Sequence, residues 1–163
     1  LDGFLSYPSA VYTVPYGVMV PKEVDNLLLP VPVSGSHIGF STLRMEPCWM
    51  AMGQAAGIAS ALSIDGKVKV QNIDLSRLQD KLIDQKATLM YFKDVDYTSP
   101  HFRMVQYLGL RGYLPEWTAR LQEPVDATTL AAWKKLSGTD LPGIEAGKTT
   151  RLATLEMIYR KIK

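Results

Sequence analysis

At 163 residues, with 47% hydrophobic and 21% charged positions, the chain has the composition of an ordinary globular protein and length enough to bury a core in one domain or two small ones. A net charge of +2 gives no ground for a nucleic-acid partner or an acidic membrane surface, and one cysteine excludes an internal disulfide and any cysteine-built metal site. Two histidines at unrelated positions assemble neither a Ser-His-Asp arrangement nor a metal-ligand spacing, so no metal is expected.

Residues 1–33 read as extended. Tyr7-Pro8, Val14-Pro15 and Val20-Pro21 each push the residue before proline toward β or polyproline geometry. Residues 10–14 and 16–20 carry the β-branched and aromatic content of strands, and 22–25 form a charged turn. From Asn26 the apolar run 27–33 is too short for a membrane span and consistent with a buried strand. A polar, glycine-containing loop is expected over 34–42. Pro47 then stands where a first helical turn starts, since its missing N–H is one of the helix's orphan donors anyway.

Over residues 48–64 only Gly53 and Gly57 weaken a helix. They are four apart and flanked by Ala51, Ala55, Ala56, Ala59 and Ala61, so one face is nearly bare backbone. A glycine costs a helix about 1 kcal/mol, a cost expected where a sheet, another helix or a cofactor approaches closely. Plain packing with alanines chosen for fit is the alternative. The helix N-terminus offers free N–H groups and roughly half a positive charge, which suits an anion. Gln54, Ser60, Ser63 and a length below the ~20 residues of a bilayer span argue against a membrane helix.

Ile64-Asp65-Gly66-Lys67 reads as a stop signal, with Gly66 suited to a left-handed cap. Asp74 is an expected N-cap, followed by Leu75, Leu78, Leu82 and Ile83 on one helical face. A short segment, 87–92, ends this region, and composition changes at Lys93. Helices are expected over 99–109, 126–136 and 150–162, with Asp126 and Thr149 or Thr150 as caps. Loops holding Pro115, Pro124, Gly138, Pro142, Gly143 and Gly147 separate them.

The stretch NLLLPVPVSGSHIGFSTLRMEPCWMAMGQAAGIASALSI, residues 26–64, resembles the C-terminal flavin-contacting segment of FAD-dependent oxidoreductases of the glutathione-reductase-like superfamily. Asn26-Leu27-Leu28-Leu29 answers to that superfamily's strand, and Gly53-Gln54-Ala55-Ala56-Gly57 to its helix. A bacterial subgroup, some of whose members carry the label xanthan lyase, is closer still. Residues 26–37, Arg44-Met45-Glu46-Pro47 and 53–57 match its motifs in order, and 14–28 resemble its upstream PYRSLVPK segment. The resemblance covers roughly residues 10–90. The superfamily's acidic residue after the strand falls at Pro32 here, which removes a ribityl-hydroxyl contact from that position.

The resemblance implies an α+β fold: strands and one long small-residue helix of an FAD-binding fold, then an all-helical C-terminal region. It sets domains at 1–92 and 93–163. It implies FAD as cofactor, with the remainder of its own chain as a partner, because the G-x-G-x-x-G turn that cradles a dinucleotide's pyrophosphate is missing from these residues. Leu1-Asp2 at the start, without methionine, and the missing basic leader fit a fragment without a signal peptide. By itself the chain is then expected to be inactive.

Ser41, Leu43, Arg44, Met45 and Glu46 are the cofactor contacts the resemblance implies. The N–H groups of Arg44, Met45 and Glu46 would face the flavin N1–C2=O edge, where reduced flavin carries negative charge. Arg44 would add a full positive charge there, or else pair on the surface with Glu46 or Glu23. His37 would give or take a proton, its ordinary pKa lying near neutrality, or else serve as a hydrogen-bonded loop residue. Cys48, in the first helical turn, reads as a packed thiol without a redox partner. The expected substrate is a small organic or carbohydrate-derived molecule.

The run 91–136 resembles a single S-layer-homology-type module through Phe92-Lys93-Asp94-Val95, Leu110-Arg111-Gly112 and Glu123-Pro124-Val125, with Thr150-Arg151 matching the start of its last helix. That family's glycine-rich loop with an aspartate is missing. Two uses follow for this region: a helical cap on an enzyme body, or a non-catalytic module binding cell-surface polysaccharide or a protein partner through Phe102, Tyr107, Tyr113 and Trp117.

Overall fold

The computed structural model describes residues 10–163, so the Tyr7-Pro8 expectation lies outside the described residues. The chain forms two compact units, Leu1–Gln85 and Lys86–Lys163.

In the first unit three helices follow one another: α1 (His37–Leu43), α2 (Glu46–Gly66) and α3 (Leu75–Asp84). Single 3-10 turns cover Tyr16–Met19 and Val70–Asn72. α2 carries apolar residues on its exposed side as well, Met50 and Ile64 among them, but buries only one stripe, Met52, Ala56, Ala59, Leu62 and Ser63. Met52 and Ala56 pack with Met19, Val33 and Leu43, and with the half-buried Cys48 and Trp49. α3 packs on α2 and buries Leu78, Leu82 and Ile83. Its N-cap is the expected Asp74, whose carboxylate accepts from the amides of Ser76 (2.9 Å) and Arg77 (3.4 Å).

The expected α+β class is wrong for this chain: the described residues are helical with no sheet, and the isolated bridge Pro124 to Thr150 is their sole β pairing. The run 27–33 is no strand: it bends over residues 30–32, where Val33 N–H turns back to Val31 O at 2.9 Å, and it makes no ladder. Pro30 and Pro32 have no N–H to give, so a central strand cannot form through them. Leu29 still donates to Met19 O and Ser34 to Val18 O, both at 2.8 Å, which fastens the run without pairing it. Residues 10–14 carry no regular structure, and 16–20 curl into a 3-10 turn through Val18 N–H to Pro15 O. The expected loop over 34–42 instead holds α1. Ser36 caps it, accepting the Gly39 amide at 3.0 Å, and buried Leu43 anchors it. The left-handed cap of α2 falls one residue later than expected, on Lys67 (φ 52°) rather than Gly66.

The bare face of α2 also departs from expectation. A Cβ built on Gly53 or Gly57 meets nothing within 4 Å, and Met50 and Ile64 on the outer side are 76% and 75% exposed. Of the small residues, Ala56 and Ala59 pack inward, while the two glycines stand open.

The second unit holds α4 (Phe102–Gly109), α5 (Ala127–Ser137) and α6 (Arg151–Ile162). Asp126 and Thr150 cap α5 and α6 through the amides of Thr129 and Ala153. Val105, Leu108, Leu114, Val125, Trp133 and Ile158 are the centre of its core. The Trp133 indole donates to Tyr113 O at 2.8 Å, so the ring's one polar atom is satisfied inside. Gly109 is pressed against the Phe92 ring, where an added Cβ would lie 3.0 Å from Cζ. Phe102, Tyr107 and Tyr113 are all buried, so of the four aromatic residues suggested for polysaccharide contact only Trp117, 48% exposed, faces outward.

Candidate functional site

On a helix, residues three and four apart share a face. His37, Phe40, Ser41 and Arg44 stand at i, i+3, i+4 and i+7, so once 37–43 is helical these four side chains align. With Gly35 they line a surface recess of about 450 Å³. Three of the expected site residues, His37, Ser41 and Arg44, are therefore brought together by α1 itself.

The other three are placed differently. Leu43 points into the core against Met19, Val33, Met52 and Ala56, which leaves only its backbone for any ligand. Met45 is the N-cap residue of α2 and Glu46 its first residue, neither lining the recess. The amide of Arg44 is not free: Arg44 is the C-cap of α1 and donates to Phe40 O at 3.0 Å. Pro47 has no N–H, so the start of α2 offers the amides of Met45, Glu46 and Cys48 in place of the expected trio.

The chemistry facing the recess is cationic and aromatic. The Arg44 guanidinium has no carboxylate partner among the described residues; neither Glu46 nor Glu23 pairs with it. The Ser41 hydroxyl is committed as a donor to Ile38 O at 2.6 Å, so toward a ligand it presents lone pairs. His37 and the Phe40 ring are exposed. This set suits the electron-rich edge of a planar ring system.

A phenol that does not line the recess ties the two helices. The Tyr12 hydroxyl donates to Thr42 O at 3.0 Å and lies 3.6 Å from the Cys48 sulfur. The hydrogen bond with Cys48, with burial second, pushes the Tyr12 phenol above its ordinary range. Neither Tyr12 nor Phe40 was singled out from sequence; the i+3 spacing from His37 would have found Phe40 had 37–43 been read as a helix.

A second recess, of about 470 Å³, lies at the far end of α2 among Asn26, Ser60, Lys67 and Lys69, and contains none of the expected site residues. Among the described residues no group of three or more His, Cys, Asp or Glu could hold a metal, and no helix is long and apolar enough to cross a membrane.

Residues 2–82 match the family described as FAD dependent oxidoreductase. No curated protein and no solved structure matches the chain.

Proposed function

Taking residues 2–82 as a segment of an FAD-dependent oxidoreductase, we propose that α1 and the start of α2 are the flavin-facing part of a glutathione-reductase-like cofactor site. Its adenine-binding half then lies on sequence outside these 163 residues, which contain no G-x-G-x-x-G turn. The observation that carries the reading is the alignment of His37, Ser41 and Arg44 on one face of α1, opening into a recess with an unpaired guanidinium.

Bound FAD supplies the two-electron acceptor. The chain's residues do the rest. Arg44 would hold a fixed positive charge toward the electron-rich ring edge, while Met45 and Glu46, outside the recess, would add only the more distant dipole of the start of α2. The exposed His37 imidazole would hydrogen-bond a ring nitrogen. Ser41 accepts a hydrogen bond, and Phe40 provides a flat apolar wall. Leu43 contributes by anchoring α1 in the core. The substrate is a small organic or carbohydrate-derived molecule, a choice supported by the resemblance of residues 26–64 to the bacterial subgroup.

The test is a spectroscopic redox titration of the FAD-loaded, full-length protein with and without Arg44→Met. A full charge beside a developing anion, discounted for solvent, is worth about 1.4 kcal/mol, which is roughly 30 mV for a two-electron couple. The variant's potential is expected to fall by about that much. A potential unchanged within error overturns the assignment of Arg44.

A further inference from the structure

We propose that Tyr12 is a positioning residue for Arg44, its hydroxyl fastening the junction of α1 and α2 so that the guanidinium is held over the recess. The proposal rests on the flavin-facing reading of Arg44 and adds to it a residue 32 positions upstream.

The last carbonyls of a helix have no intrahelical donor. In α1 the amide of Arg44 satisfies Phe40 O. Thr42 O is satisfied from outside the helix, by the Tyr12 hydroxyl at 3.0 Å, with the Cys48 thiol a weaker second donor at 3.9 Å. Cys48 belongs to the first turn of α2, and the Tyr12 oxygen lies 3.6 Å from its sulfur. One phenol thus reaches the last turn of α1 and the first turn of α2, between which Arg44 and Met45 are the entire connection.

A helix of seven residues is too short to hold itself together. Leu43 fixes it from the core side. On the outer side the Tyr12 hydroxyl is the tie, since the ring itself is 44% exposed and contributes little packing. The raised phenol pKa keeps the hydroxyl protonated, and so a donor, through the ordinary working range. Without that tie the final turn frays, and Arg44, two residues beyond Thr42, loses its fixed direction.

The experiment is a double-mutant cycle on the flavin potential of the FAD-loaded, full-length protein, using Tyr12→Phe, Arg44→Met and both together. Tyr12→Phe removes one oxygen from a half-exposed ring and leaves the packing in place. Alone it is expected to weaken the preference for the reduced state about threefold, roughly 14 mV for a two-electron couple. In the Arg44→Met background it is expected to change nothing further, because it acts through Arg44. A shift for Arg44→Met with none for Tyr12→Phe overturns the positioning role and leaves the flavin-facing reading intact. A Tyr12→Phe shift that persists in full beside Arg44→Met also overturns it. No shift in either variant overturns both.

A second measurement needs no flavin. In the 163-residue chain, hydrogen exchange of the Arg44 amide is expected to quicken about tenfold in Tyr12→Phe, with the Leu62 amide in mid-α2 unchanged. Equal quickening at both would show general loosening and overturn the proposal.

Discussion

The carboxamide of Gln106 clasps the backbone of Met90 from both sides. Its Oε1 accepts the Met90 amide at 2.8 Å and its Nε2 donates to the Met90 carbonyl at 2.7 Å, while Oε1 also takes the Leu89 amide at 2.8 Å. Gln106 is fully buried at the centre of α4, so every polar atom of this inside amide is matched by a chain segment that has no helix of its own. Gln106→Leu keeps the volume and strands three backbone groups, each worth about 1–3 kcal/mol when left unmade inside. Leu89 and Met90 are only half-buried, so water recovers part of that sum: the expected loss is about 2–4 kcal/mol in a denaturant titration, and a loss below about 0.5 kcal/mol would mean that water takes over the clasp.

A second prediction concerns Gly57. Because an added Cβ there meets nothing within 4 Å, Gly57→Ala should raise the stability of the 163-residue chain by about 0.5–1 kcal/mol, the difference in helix propensity. A rise in melting temperature confirms the open face. A fall would show that a surface seats on α2 in solution.

Asp126 carries a pH prediction. The Thr129 hydroxyl (2.6 Å) and then the Thr129 amide (2.8 Å) bond its carboxylate and lower its pKa in the folded chain. A carboxyl with a depressed folded pKa adds stability above its unfolded value, near 3.9, and loses it as pH falls through the lower folded value. Asp126→Asn should therefore flatten the acid limb of the stability curve of α5 below about pH 4 while leaving the helix capped at neutral pH. An acid limb of unchanged slope in the variant would remove Asp126 from the account.

Local chemistry was the part of the fold that could be read in advance. Asp74, Asp126 and Thr150 cap their helices because a side-chain oxygen and an amide two or three residues later meet without help from the rest of the chain. The strands are absent for a reason also present in the sequence: Pro30 and Pro32 interrupt the apolar run, and its hydrophobicity cannot replace the ladder donors they lack. α1 was hidden because Gly39, Ser41 and Thr42 are poor helix formers, and the helix depends on Ser36 at one end and buried Leu43 at the other. That error also hid the layout of the recess, since His37, Ser41 and Arg44 share a side only at 3.6 residues per turn. The tie from Tyr12 to Thr42 spans 30 residues, and no periodicity encodes it.

Gly109 and Phe92 bind the history of this chain together. With Phe92 5% exposed and its ring 3.0 Å from where a methyl at 109 would sit, a change at either position is felt at the other. A side chain at 109 requires the Phe92 ring to give by a few tenths of an ångström or to shrink, and a shrunken 92 leaves a void until 109 has grown. Descendants of this sequence should therefore keep the pair or exchange both members, tracing a narrow path in which the intermediate is the least stable step.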